Sequence, residues 1–558
     1  MSKRRARAPR KRAAATTKPE ARPPEAVVVP TGSGSWIAPT IVCVVATAAY
    51  LGICATSFHP TWSDENVHMY VADQVAHGER LYSDIHSARP PLAIGFLVGF
   101  LKLGLSPLAA ARTAVAVATL GAAGVVLWGG RRLWGNWVGV AAYAFMLLSP
   151  EVARLTPFTG IHTVALGATA CAILALVGSP LWSGIVGGLA VASGQHALPI
   201  VGLVFAYLVY KDRSHGAAPH PAGQAAGVPT PAIRIAHRRR GAPKYVLGAI
   251  ASLCVVVGVA VIAGGSGIYE DLIGRHLYHF AGEAPSENTE LGWFLRNTFE
   301  DNLVMVGAAT LAVVVPLLRT PRRFGPEHWL CVFTLGHLAA VLAMSGGLPL
   351  YAYVPTPLWA LVAGVGVVRA ASWLVAGRRR HSRAWAVVAA IAVAGAGWWD
   401  VSRRFSERDR SMKTTYSWIP HLRFQETRRS QNMIVARQIA DDIAGLIAPD
   451  ETIFGHATIA ALVALYSGRR VSAQLADLPA RAIEMNVIPR EQVVRDIERD
   501  RVKFYVTPRW FLLTDPFFRD YVTRCYKVRQ VLRKTFDPEG GGIPDIWVLE
   551  HTAQRPCQ

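Results

Sequence analysis

Two neighbouring acids, Asp64 and Glu65, stand near the start of a polar stretch that reads WSDENVHMYVADQVAHGERLYSDIHSARPPL from Trp62 to Leu92, and Arg89, followed at once by Pro90 and Pro91, stands near its end. A carboxylate can take a proton from a hydroxyl, and a guanidinium can fork across two phosphate oxygens. Acid pairs in loops are usually just solvated. What singles this pair out is the whole pattern around it, with its spacing to Arg89 and its place directly after the first apolar segment. A second apolar segment follows, so the stretch is expected to lie against a membrane surface.

The elements that must position these groups are membrane helices. Hydrophobic residues make up 52% of the 558 and charged residues 17%, with a mean hydropathy of +0.27, too apolar for a soluble protein of this size. Apolar runs of about 20 residues recur, each long enough to cross a hydrocarbon core of about 30 Å. Helices follow because an open sheet edge has no partners in lipid. The net charge of +21 does not point to nucleic acid. Lys and Arg cluster in SKRRARAPRKR, around His237 to Arg240, at Arg319 to Arg323 and at Arg378 to Arg383. Each cluster abuts an apolar run, as positive-inside signals do, and no nucleic-acid-binding motif accompanies the charge. Cys43, Cys54, Cys171, Cys254 and Cys331 lie in apolar segments as small hydrophobes. Cys525 and Cys557 are left as the candidates to meet an oxidising compartment and pair there.

Residues 1–34, basic and then rich in Pro and Ala, have too few large apolar groups to fold and read as a disordered cytosolic tail. Trp36 to Ser57 reads as an uncleaved first membrane helix, since no clear small-residue cleavage site follows. Val67, Met69, Tyr70, Val71 and Val75 predict a helix with a partly apolar face, suited to the interface plane. The run from Pro91 to Gly130 is read either as two short helices broken near Gly104 to Pro107, or as one crossing plus a re-entrant piece, with Arg131 and Arg132 favouring an odd count. Further helices are expected from Trp137 to Arg154, His162 to Gly178, Trp182 to Ser193, Ala197 to Tyr210, Tyr245 to Gly264, Leu303 to Leu318, His328 to Met344, Tyr353 to Ala376 and Trp385 to Trp399, giving about eleven crossings and a membrane domain over 35–400. Lys211 to Lys244 is expected to be cytosolic, and Gly265 to Glu300 external. From residue 401 the composition changes. A helix is predicted over Asn432 to Ile447 from its three- and four-residue apolar spacing, another over Glu491 to Arg499, and β-rich runs at Glu451 to Gly455, Val502 to Thr507 and Ile546 to Leu549. These make an external soluble α/β domain over 401–558.

The order Asp-Glu, Tyr- and Ala-bearing helix, Gly-x-x-Leu-Tyr-x-Asp, basic residue and Pro-Pro resembles the first external loop of the GT-C glycosyltransferases. Within that superfamily it is most similar to the bacterial relatives of protein O-mannosyltransferases and of aminoarabinose transferases, which use polyprenyl-phosphate sugars. The resemblance spans Trp36 to Ala376 as a pattern and is specific around Trp62 to Leu92. It implies a mainly α, polytopic fold and transfer of a sugar from a polyprenyl-phosphate donor to a glycan, lipid or protein acceptor, at the external face of a bacterial-type inner membrane. Asp64 would be the base, in an inverting displacement, and Glu65 would orient Asp64 or a sugar hydroxyl. Arg89 would bind the departing phosphate, with Tyr82 and His86 lining the sugar pocket.

Relatives often carry a second acid near Thr156 to His162, where LTPFTGIH has none, so Arg154 or His162 has another role or the acceptor chemistry differs. The turn in GGLAVASGQHALP resembles one where a Lys is frequent, and Gln195 or His196 stands here. Tyr351 and Tyr353 belong to GGLPLYAYVPTPLWALVAG, which resembles a late family helix. They are placed either on the lipid-phosphate groove or in the interfacial aromatic belt. His276 and His279 share a loop with Glu270 and Asp271. Two imidazoles do not make a metal site, so no metal or other cofactor is assigned, and the loop is expected to contact donor or acceptor. His337 reads as a hydrogen-bonded packing residue. YSGRRV with Gln474 resembles the tail domains of some of these transferases, which would bind acceptor, cover the site or act as a structural cap. The competing readings are a transporter or flippase of lipid-linked saccharides, which would more often show broken helices and mid-membrane charges, and an inactive homologue.

Overall fold

The computed structural model describes residues 36–56, 64–149, 152, 155, 159–216, 241–264, 267–268, 305–310, 312, 325–343, 351, 353–376, 434–472, 475–477, 488–508, 515–532, 545–552 and 556–557. Helices dominate the first two thirds: α1 (Ile37–Thr56), α2 (Asp64–Ala76), α3 (Pro91–Lys102), α4 (Pro107–Trp134), α5 (Asn136–Leu147), α6 (Thr159–Leu176), α7 (Pro180–Ser193), α8 (Leu198–Gly216), α9 (Gly241–Gly264), α10 (Pro326–Ala343) and α11 (Thr356–Ala376). Among the described residues α4, α6 and α9 are long and apolar enough to cross a membrane. The expected crossing from Trp385 to Trp399, the loop Lys211 to Lys244 between 217 and 240, and most of Leu303 to Leu318 lie outside the described residues.

Pro91 to Gly130 resolves into unequal pieces. At 1.5 Å per residue the 12 residues of α3 reach about 18 Å, short of a hydrocarbon core, whereas the 28 of α4 exceed it. Ser106 in extended conformation and Pro107 at the first helical position start α4. Arg131 and Arg132 sit in its last turn, where cations meet the unpaired carbonyls, and Gly135 at φ 107 stops it. Small residues let the bundle pack closely. A Cβ on Gly184 would run into the Tyr245 carbonyl, drawing α7 against α9. At the far end of α11 from Tyr353, Arg369 pairs with Glu327 of α10 at 2.7 Å, and Trp134 Nε1 donates to the same carboxylate at 3.4 Å.

The apolar face of α2, expected to meet the membrane interface, is covered by protein. Residues 65–72 are all buried, and Val67, Met69, Tyr70 and Val71 share one core with Ile94 of α3, Ile439 and Ile443 of a helix over 434–444 (α12), and Ile459 and Val463 of α13 (Ala457–Ser467). Its polar residues are covered as well, Glu65 by Arg112 and Asn66 by the Thr458 carbonyl.

The C-terminal part completes that core with five strands, β1 (Thr452–Gly455), β2 (Arg470–Val471), β3 (Val502–Pro508), β4 (Tyr526–Leu532) and β5 (Ile546–His551), in the order β2-β1-β3-β5-β4. β2, β1 and β3 are parallel, and β3, β5 and β4 antiparallel. Parallel neighbours need crossovers, which α13 and α14 (Arg490–Arg499) supply. Helix α15 (Pro516–Cys525) is capped by Asp515, whose carboxylate accepts from the amides of Phe517 and Phe518. Cys525 and Cys557 form a disulfide with Cα atoms 5.9 Å apart.

Candidate active site

Asp64 opens α2, where the unpaired amides of a helix start favour a negative charge. Its side chain is 54% exposed, and Arg89 Nη2 reaches its Oδ2 at 2.9 Å. The loop before α3 aims that arginine. Tyr82 takes φ 71, a left-handed conformation that an ordinary residue holds only when its surroundings fix it. Here its amide donates to Ile85 O at 2.9 Å and its buried phenol to Arg89 O at 2.6 Å. Pro91 then begins α3 with no amide hydrogen to satisfy.

A third group comes from the far end of the sequence. Asp477, buried beside the sheet, accepts from Ala88 N at 2.9 Å and Ser87 Oγ at 3.2 Å, and its Oδ2 lies 3.3 Å from Arg89 Nε. Burial opposes the charge of Arg89, but Asp477 and then Asp64 outweigh it and hold the guanidinium above its usual range. In return Arg89 holds the Asp64 carboxyl below its usual range against the pull of burial, with His68 and His456 adding to the effect.

His68 lies one helical turn beyond Asp64, with Nδ1 3.2 Å from the Thr159 hydroxyl that opens α6. Gly160 makes room for it, since a Cβ there would sit 2.9 Å from the ring. Burial, reinforced by Arg89, pushes the His68 pKa down to about 4, so the ring is neutral at pH 7. From the C-terminal side His456, just before α13, shares a 2.9 Å contact with Thr458 Oγ1, and Asn66 donates to Thr458 O at 2.8 Å. Burial lowers the His456 pKa while the nearby Asp64 charge resists.

Tyr351 closes the remaining side. Its ring stacks on His196 at 3.5 Å between centroids, and its carbonyl lies 3.0 Å from His337 Nε2. Burial raises its phenol pKa, opposed by Arg89. Asp64, Arg89 and Tyr351 are thus brought together, with Tyr82 behind Arg89 as a brace, and Gln195 starts the short 3₁₀ turn that carries His196.

Other candidates are placed elsewhere. Glu65 binds both terminal nitrogens of Arg112 on α4, one of them at 3.1 Å, with its side chain fully enclosed. Successive helix residues point about 100° apart, so the acid beside Asp64 is turned from Arg89 and ties α2 to α4. His162 and Tyr353 meet each other in the bundle interior, with Nδ1 2.9 Å from both the Tyr353 and Thr119 hydroxyls and Nε2 2.9 Å from Leu155 O. His86 lies within electrostatic reach of Asp496 on α14. Arg154, Gln474, and the whole of Glu270, Asp271, His276 and His279 lie outside the described residues, while Ile268 of the same loop packs on Tyr82. Among the described residues no three His, Cys, Asp or Glu side chains gather as a metal site.

No family model matches the sequence, and no curated protein matches it. Solved structures do match in fold. ArnT from Cupriavidus metallidurans bound to undecaprenyl phosphate superposes with a TM-score of 0.58 at 16% identity, over 94% of this chain and 99% of that one. The Archaeoglobus fulgidus oligosaccharyltransferase in its apo form gives 0.53 at 12%, over 91% and 74%. The same archaeal enzyme, AglB, in complex with an inhibitory peptide and a dolichol-phosphate gives 0.51 at 12% over the same shares. The chain therefore shares the fold of these solved structures.

Proposed function

We propose that the protein is a membrane glycosyltransferase that moves a sugar from a polyprenyl-phosphate donor to a hydroxyl-bearing acceptor. The acceptor oxygen attacks carbon one of the sugar, its proton passes to Asp64, and the bond from carbon one to the phosphate oxygen breaks with its electron pair leaving on the phosphate. Arg89 binds that phosphate as its charge grows. Direct displacement inverts the anomeric centre. Among the described residues of the site, Glu65 is committed to Arg112 and Asp477 is enclosed, while Asp64 is half exposed, which supports a single displacement over a covalent intermediate.

The observation that carries this reading is the 2.9 Å pair of an open carboxylate with Arg89, on a fold whose ArnT neighbour was solved with undecaprenyl phosphate. The site belongs on the external face of an inner membrane, with the amino terminus cytosolic and the sheet domain external. Arg131 and Arg132 ending α4 and the Cys525–Cys557 disulfide support that orientation.

The test is transfer of labelled sugar from polyprenyl-phosphate donors by purified protein. Asp64→Asn is expected to lower turnover about 10²–10⁴-fold, the usual worth of a general base, and Arg89→Ala to remove it with release of polyprenyl phosphate. Folded variants that both keep full turnover sink the reading.

A further inference from the structure

We propose that Asp477 is a positioning residue of the donor site, its buried charge retaining Arg89 so that the donor phosphate can take Nη2 from Asp64 and free that carboxylate as the base. This deepens the transferase reading and rests on it.

Two carboxylates flank one guanidinium, but they are not equivalent. Asp477 has a side chain only 7% exposed, with its Oδ2 also engaged by Ser87 Oγ and Ala88 N. Leaving Arg89 would strand it, because a buried carboxylate without its cation is costly. Asp64 is 54% exposed and can trade the arginine for water. An arriving anion therefore displaces Asp64 and not Asp477. The contact of Nε with Asp477 Oδ2 at 3.3 Å is an ion pair outside hydrogen-bond geometry, so Asp477 acts on Arg89 by its charge while Nη2 changes partner.

The exchange also orders events. Before donor binds, Arg89 masks the Asp64 charge that the acceptor proton needs. Once the phosphate sits on Arg89, Asp64 is released in a cleft faced by neutral His68, by His456 and by Tyr351. The phosphate carries one negative charge in the donor and gains a second as the sugar leaves, so Arg89 binds it most strongly late in the reaction. The sheet domain thereby becomes part of the donor site through a residue 388 positions from Arg89 in sequence.

Binding of undecaprenyl phosphate alone, without sugar or acceptor, tests this with a sign. Asp64→Asn and Asp477→Asn each remove one negative charge beside Arg89, so plain charge counting predicts that both bind the phosphate more tightly. The positioning role predicts opposite outcomes: about tenfold tighter for Asp64→Asn, whose competitor is gone, and about tenfold weaker for Asp477→Asn, whose Arg89 swings onto Asp64. A dissociation constant does not depend on the fraction of protein that folds, so the titration reads even a poor preparation. Asp477→Asn binding as tightly as the parent, or more tightly, overturns the proposal. Arg89→Ala binding like the parent would instead overturn the phosphate-binding reading itself.

Discussion

The first two residues of α2 each hold an arginine, and the two pairs are built for different ends. Glu65 and Arg112 are 0% and 3% exposed and joined by two hydrogen bonds. Asp64 and Arg89 are 54% and 25% exposed and joined through one arginine nitrogen. The first pair has nowhere to go: its charges left water on folding and satisfy each other, and nothing outside can compete. In the second, one charge borders open space and its arginine is already divided between two acids. The lesson is that burial, and not the identity of the groups, separates a sealed pair from one that can exchange partners. Adjacent residues on one helix can be either, because the helix turns them about 100° apart.

The contrast can be broken most forcefully on the sealed side. Arg112→Ala takes from the buried Glu65 carboxylate the arginine that forks across it, and breaking a buried pair from one side is expected to cost about 3–5 kcal/mol. A large fall in thermal midpoint should follow, whereas Asp64→Asn, whose oxygen faces the cleft, should unfold near the parent and fail only in turnover. An Arg112→Ala protein as stable as the parent would show that the two pairs are not different in kind.

His68 sharpens the comparison from the working side, since it stands near Asp64 and yet is buried. Its folded pKa of about 4 lies below the usual value near 6.5. Between those values the unfolded chain binds a proton that folded His68 refuses, so stability falls as pH drops through this window and recovers as it rises. From pH 7 to pH 4.5 the loss from this group is expected to be about 2–3 kcal/mol. Unfolding of parent and His68→Gln at both pH values checks it, the variant being flatter by that amount. Equal slopes would mean that the ring is already protonated or hydrated in the folded protein.

Much of the fold was legible because lipid makes hydropathy nearly decisive: α1, α6, α8, α10 and α11 fall where the apolar runs lie. The strands β1, β3 and β5 were legible as β-rich runs, and α12 as a spaced apolar face. β2 escaped because it has two residues, and β4 because the exposed run of Lys527, Val528 and Arg529 on an edge strand shows no alternation of apolar and polar residues. At the site, Asp64 and Arg89 announced themselves through a local pattern. Asp477 and His456 did not, since each acts across nearly 400 residues of chain, and nothing in ADLPA or FGHAT marks it. What covers α2 was not legible for the same reason: its apolar side chains were visible in sequence, but not that α13 would pack on them.

The seam that decides that last point offers the mildest perturbation. β2 is an edge strand, and its inner side follows β1 in parallel register, with Ser472 N donating to Ile453 O. The Val471 amide points outward, where an unpaired buried donor would remain. Tyr70 meets it: the amide donates to the Tyr70 hydroxyl at 2.7 Å, and both residues are buried. Tyr70→Phe removes one oxygen, leaves the ring packed, and strands that amide, at an expected cost of about 1–3 kcal/mol. Thermal unfolding measures it. Because Tyr70 lies more than a turn from Asp64 and touches neither Arg89 nor Asp477, turnover per folded molecule should hold. A fall in turnover larger than the fall in folded protein would mean that the seat of β2 on α2 itself sets how Arg89 is shared, and that the sealed and working regions are one mechanical piece.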